Sequence, residues 1–138
     1  MDPDLCIAII VNPALPLGLI ANTVGAISIG LGAHRPELGA SLLTDRQGRS
    51  IHVSANRPVP ILQAGGDTIA ALLLTALAHP SRGTVVPFPA FARALHAYAD
   101  YEASFPDRDL ADEAIDGLGL AGPRKWVKSL TGSLKLLR

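Results

Sequence analysis

The sequence predicts a single α/β domain spanning residues 1–138, a three-layer sandwich in which a mixed β-sheet carries helices on both faces. Three observations lead there. Apolar runs of strand length alternate with longer segments of helical periodicity, in the order β, α, three short β, α, β, α, β, α. The first run, LCIAIIVN (Leu5–Asn12), is aliphatic without interruption, the pattern of a strand covered on both sides and placed at the centre of its sheet. Finally, 138 residues can bury one substantial core but not comfortably two.

After the first strand, Pro13 and Pro16 shape a turn, and Leu17 to about Leu31 reads as a helix that is apolar nearly all round. A helix of that kind packs on the sheet and on something else as well. SLLTDRQGRSIHVS predicts two short strands about an Arg46–Arg49 turn, and PVPIL predicts an edge strand because Pro58 and Pro60 cannot donate to a ladder. Asp67, after Gly65-Gly66, is placed to cap a helix from Thr68 to about Ala78, with Ile69, Leu72, Leu73 and Leu77 at helical spacing and Pro80 beyond its end. Thr84–Phe88 predicts a short buried strand. Pro89 is expected to start a further helix with Phe91, Leu95 and Tyr98 toward the core. Ala114–Gly122 is the last strand, where Gly117 and Gly119 remove side chains and let another backbone or a ligand come close. Pro123 opens a final helix with Trp126, Val127 and Leu130 on its apolar face, and Gly132 suits the left-handed position past its end.

Composition narrows the function classes. Apolar residues make up 49% and charged residues 17%, so the chain is not disordered; twelve bases balance twelve acids, which removes the global positive charge of a protein that grips long nucleic acid. Six aromatic residues leave little material for base stacking. Cys6 stands alone, which excludes an internal disulfide and a thiolate metal cluster within this chain. No charge occurs from Leu5 to Ala33, a run long enough to test as an export or membrane segment. Its flank is acidic where a signal peptide is basic, and Asn12, Pro13 and Pro16 interrupt it. The expectation is a cytoplasmic protein with a buried strand and helix there, and no membrane partner.

The two ends of the chain carry a family resemblance. Gly122-Pro123, seven residues, then Thr131-Gly132-Ser133-Leu134-Lys135-Leu136 resembles the C-terminal ending of the type II peptidyl-tRNA hydrolases. Gly18-Leu19-Ile20-Ala21 after a hydrophobic strand resembles the Gly-Lys-x-Ala that opens their first helix. A closer likeness is to an uncharacterised bacterial family of the same fold, domain-of-unknown-function family 2000. Its pattern is matched by Val11-Asn12, by Leu15-Pro16-Leu17-Gly18-Leu19-Ile20-Ala21-Asn22, by Val59–Leu62, and by Gly122-Pro123-Arg124-Lys125 through Leu134. The resemblance implies a peptidyl-tRNA hydrolase type II-like fold and a homodimer. It does not bring the catalytic equipment: the hydrolases' lysine falls at Leu19, their histidine at Ala26 and their aspartate, on a gapless count, at Ala103.

Candidate site residues follow from position and chemistry. Asn12 closes a central strand just before the Gly18 turn, where open α/β sheets commonly place ligands; it reads equally as a turn asparagine beside Pro13. Asn22, one turn into the next helix, faces the same crevice in the first reading, and Thr23 is the nearby hydroxyl, without an evident base. Arg124 and Lys125 follow Gly122 at a helix N-terminus, where cations oppose the helix dipole unless an anion compensates. That anion is either a ligand or the acidic segment Asp107–Asp116, part of a stretch from Asp100 to Asp116 that holds seven acids against one base. The expected function is therefore binding of a small anionic ligand in a crevice between the first strand–helix turn and the C-terminal helix. The alternative is a hydrolase acting on a peptidyl- or aminoacyl-tRNA or a nucleotide ester. His34, His52, His79 and His96 lack ligand spacing, so neither metal nor cofactor is expected.

Overall fold

The computed structural model describes residues 2–138 and follows the expected alternation: β1 (Leu5–Val11), α1 (Leu17–His34), β2 (Leu42–Thr44), β3 (Ser50–His52), β4 (Ile61–Gln63), α2 (Gly66–Leu77), β5 (Thr84–Pro89), α3 (Tyr98–Ser104), β6 (Ile115–Pro123), α4 (Arg124–Thr131) and β7 (Lys135–Leu136). Five strands form one mixed sheet in the order β5-β6-β1-β4-β7. β1 runs parallel to β4 and antiparallel to β6, while β5 and β7 add antiparallel edges. The alternation of side chains along β1 divides the core. Leu5, Ile7, Ile9 and Val11 face α1 with Ile20, Ile27 and Leu31, whereas Ala8 and Ile10 face α2 and α4 with Ile69, Leu73, Trp126 and Val127. A single mixed sheet with helices on both faces is the predicted architecture.

α1 lies unusually close to β6. A Cβ built on Gly119 would collide with Cγ2 of Ile27, and one on Gly117 would stand 2.6 Å from Cγ2 of Thr23. The two glycines therefore admit a helix, one of the two uses that the sequence left open.

Several local expectations are corrected. PVPIL is not an edge: β4 has neighbours on both sides, because its two prolines precede the three paired residues. Asp67 is not the cap of α2; Gly65 holds that position and Asp67 sits in the first turn. The helix expected from Pro89 is a 3₁₀ segment over Ala90–Ala94, then extended backbone at Leu95, then α3. Tyr98 is accordingly exposed, and the aromatic packing instead joins Phe91, Tyr101 and Phe105, with the Arg108 guanidinium over the Phe91 ring. Gly132 is right-handed at φ −61°. Its missing side chain makes room for the Lys128 carbonyl, which a Cβ would approach to 2.9 Å. Positive φ occurs at Gly48, in the turn between β2 and β3.

Within this one chain, α1 is covered mainly on its sheet side. Ile20, Thr23, Ile27 and Leu31 are buried, but Leu17 and Ile29 remain 82% and 76% exposed. The segment after α1 does not fold back over that surface. It tucks Leu38 into the core and then projects β2 and β3 as a separate two-stranded ribbon, with Leu42, Leu43 and Ile51 all more than half exposed.

Candidate functional site

The strand register decides which candidate residues can meet. β6 runs antiparallel to β1, with Cys6 opposite Gly122 and Val11 opposite Gly117. Five residues of strand span roughly 17 Å, so Asn12 and Gly122 lie at opposite ends of the sheet. They also serve different faces: Thr23 of α1 packs over Gly117 on one side, while Gly122 packs under Trp126 of α4 on the other. The crevice expected between the first strand–helix turn and the C-terminal helix is therefore not formed. Asn12, Gly18, Asn22 and Thr23 make one group, and Gly122, Arg124 and Lys125 make another.

In the first group, Asn12 behaves as a turn asparagine. Its Oδ1 accepts a 3.0 Å hydrogen bond from the Ala14 amide, while its side-chain nitrogen lies toward Gly66. Gly18 and Asn22 are exposed, and Thr23 is fully buried with its hydroxyl unpartnered. The strongest electrostatic feature at this end escaped the sequence reading. Arg93, from the 3₁₀ segment, grips the buried Asp116 of β6 through two hydrogen bonds, from Nε at 2.5 Å and Nη2 at 3.1 Å. The hydrogen bond that Arg93 donates to Asp116, and the charge of that carboxylate, raise the Arg93 pKa, and the two side chains satisfy one another. Such a pair anchors the segment after β5 to the sheet.

The second group belongs to a larger cationic site. Gly122 lets Trp126 settle on β6, since a Cβ there would meet the indole at 2.9 Å. The tight join between β6 and α4 then sets the direction of the basic side chains. Arg124 and Lys128, one helical turn apart, line a cleft of about 190 Å³ together with Cys6 and Arg57. Lys125 points elsewhere, into a shallow recess shared with Arg82. Arg57 was missed because it lies in the irregular Asn56-Arg57-Pro58 stretch, far from the other bases in sequence. Its Nη1 donates to the carbonyls of Leu5 and Asp2 at 2.8 and 3.1 Å, and its Nε to Asn56. Its Nη2 is buried without a partner. An arginine donor held in this way costs free energy until an acceptor reaches it.

The acidic stretch does not compensate these bases. Among the described residues its ion pairs are Arg93–Asp116 and Arg108–Glu113, and no carboxylate lies within ion-pair distance of Arg57, Arg124 or Lys128. The amide of Arg124 donates to the Asp4 carbonyl, so the side chains rather than that N–H are free for an anion.

The family model described as "Protein of unknown function (DUF2000)" matches residues 6–138. The solved structure of a protein of unknown function from Agrobacterium tumefaciens strain C58 aligns with a TM-score of 0.86 at 19% identity, covering 96% of this chain and 97% of that one. At that identity the likeness establishes the fold alone. No curated protein matches the chain.

Proposed function

The chain belongs to this family of unknown function, and we propose that it binds a small anionic ligand in the cleft formed by Arg57, Arg124 and Lys128. The observation that carries the reading is the buried, unpartnered Nη2 of Arg57 beside two bases with no carboxylate to neutralise them. A carboxylate or phosphate oxygen supplies the missing acceptor and relieves the mutual repulsion of three cations. We further propose a cytoplasmic setting and a fold of the peptidyl-tRNA hydrolase type II kind, the latter supported by the matching residues at the two chain ends. The hydrolase alternative, with Asn12, Asn22 and Arg124 placing one substrate, loses its shared site to the strand register. Thermal-shift titration with inorganic phosphate tests the binding reading. Occupancy at a hundred times Kd stabilises by about 2.7 kcal/mol. Stabilisation that disappears in Arg124→Gln supports the cleft; no stabilisation by phosphate or by small carboxylates refutes it.

A homodimer is proposed on separate grounds. α1 presents a surface without charge from Leu17 to Ala33, and Gly18 and Gly25 on it have open space where a side chain would be. The β2–β3 ribbon is too small to be stable alone and exposes three aliphatic side chains. Five large apolar residues, each more than half exposed, supply much of the roughly 800 Å² per partner that a stable interface needs. Every copy carries both surfaces, so a second copy satisfies them symmetrically. Light scattering near 14.4 kDa at all concentrations would refute this assembly.

A further inference from the structure

The cationic cleft is one end of a trough that runs along α4. Two clefts make up the trough, and β1 and α4 supply them in the same order: Leu5 and Arg124 line the first, Ala8 and Thr131 the second, which holds about 250 Å³. Cys6, Ile7, Pro60 and Lys128 line both, so the two volumes meet beside Lys128. Over the seven steps from Arg124 to Thr131 a helix rises roughly 10 Å, and the character of the walls changes within that length. Arg57 and Arg124 charge the near end, while Leu62, Val127, Leu134 and Leu136 supply aliphatic carbon to the far one. The polar groups of the turn that closes the far end are already used. The Thr131 hydroxyl and the Gly132 amide donate to the Val127 and Lys128 carbonyls, and the Leu134 amide donates to the Thr131 carbonyl. A polar group placed there gives up water and finds none of these three donors, whereas a hydrocarbon has no hydrogen bond to lose.

Resting on the anion-binding reading above, we propose that the ligand is a single-chain amphiphilic anion, a carboxylate or phosphate head on one unbranched aliphatic tail. The head meets Arg57 and Arg124, and the tail passes Lys128 into the aliphatic end. Charge fixes the direction, since the reversed ligand sets its anion among Leu62, Val127 and Leu134 with no donor to receive it. Inorganic phosphate satisfies the cations and leaves the aliphatic walls wet. An uncharged chain covers those walls and leaves three cations facing one another. An anion with a tail satisfies both ends of the trough.

The test is a calorimetric titration of the full chain, read alongside the methyl resonances of Leu134 and Leu136. The probes are butanoate, octanoate, octyl phosphate, octanol and inorganic phosphate, each kept below the concentration at which it forms micelles. Every methylene that leaves water for an apolar wall tightens binding by up to about fourfold, so octanoate should bind at least about tenfold more tightly than butanoate. Octanoate and octyl phosphate should both move the Leu134 and Leu136 methyl resonances, which inorganic phosphate should leave in place; the tighter of the two names the head. Arg124→Gln should weaken octanoate and phosphate alike, whereas Leu136→Asn, at an exposed position, should weaken octanoate and leave phosphate unchanged. Phosphate binding that needs Arg124, with octanoate no tighter than butanoate, overturns the amphiphile and leaves the anion site standing. Octanol matching octanoate overturns the pairing of tail with cations. Binding by no probe overturns both readings.

Discussion

Replacing Gly119 with alanine tests how closely α1 lies on the sheet. The new Cβ would overlap Cγ2 of Ile27 and stand 3.1 Å from Cδ1 of Leu31, whereas unstrained carbon contacts lie at about 3.5–4.0 Å. Ile27 and Leu31 are 1% and 2% exposed, so neither side chain has empty space to enter, and α1 must rise from β6 by about 1 Å or distort locally. Overpacking of this kind typically costs about 1–3 kcal/mol, and the severity of the clash places the expectation near the upper value. Measured against the roughly 5–15 kcal/mol that holds a domain of this size, the variant still folds. Urea unfolding followed through Trp126 fluorescence and circular dichroism gives the loss directly. Ile27→Ala alone should cost about 2–5 kcal/mol by opening a cavity, but it removes the atom that the methyl added at position 119 strikes. The double variant should therefore be more stable than the sum of the two losses by about 1 kcal/mol or more. A Gly119→Ala loss below about 0.5 kcal/mol, or strict additivity in the double variant, would show that α1 does not rest on Gly119.

Other outcomes follow from the same contacts. Asp116→Asn should lower the urea midpoint more than Arg108→Gln does, because the first breaks a bidentate pair with a buried carboxylate and the second a more exposed single bond; equal shifts would refute the anchoring role of Arg93. Burial raises the pKa of Tyr101 above its ordinary 10.0, with a smaller contribution from Tyr98. The neutral phenol is the form that folding favours, so its contribution to stability is complete below pH 10 and is lost as the pH rises through the folded-state pKa. Ultraviolet titration of Tyr98→Phe should show the remaining phenol ionising above a free tyrosine. On the outer face of α1, Ile29→Glu should convert a dimer to monomer at little cost to folding, while Gly25→Ala, with nothing within 4 Å of the added methyl, should stabilise that monomer by about 1 kcal/mol. Light scattering and urea melts of the two variants separate these effects.

Much of the architecture was legible because it rests on local signals. The uninterrupted Leu5–Val11 run marked a strand with neighbours on both sides, and Gly117 and Gly119 marked a close approach before its partner was visible. Long-range pairing was less legible. The prolines of PVPIL suggested an edge because a proline cannot join a ladder, yet the ladder begins just after Pro60 and β7 closes the other side. The spacing of Phe91, Leu95 and Tyr98 suggested one helix because the Leu95 break carries no proline or glycine to announce it. A nearly all-apolar helix does not show which stripe the sheet takes, and only the structure assigns Ile27 and Leu31 to it.

The site was harder to read because adjacency in sequence and adjacency in space diverge at β6. Asn12 and Gly122 both flank central strands, and it is the antiparallel register that places them at opposite ends. The residue that completes the cationic cleft, Arg57, sits more than sixty positions before Arg124 and is brought there by the Leu5 and Asp2 carbonyls that its Nη1 binds. Those two bonds hold Arg57 against the cleft that it lines and leave Nη2 buried without a partner. One irregular segment, distant in sequence from α4, therefore supplies the third cation of the cleft, and no local pattern in the sequence announces it.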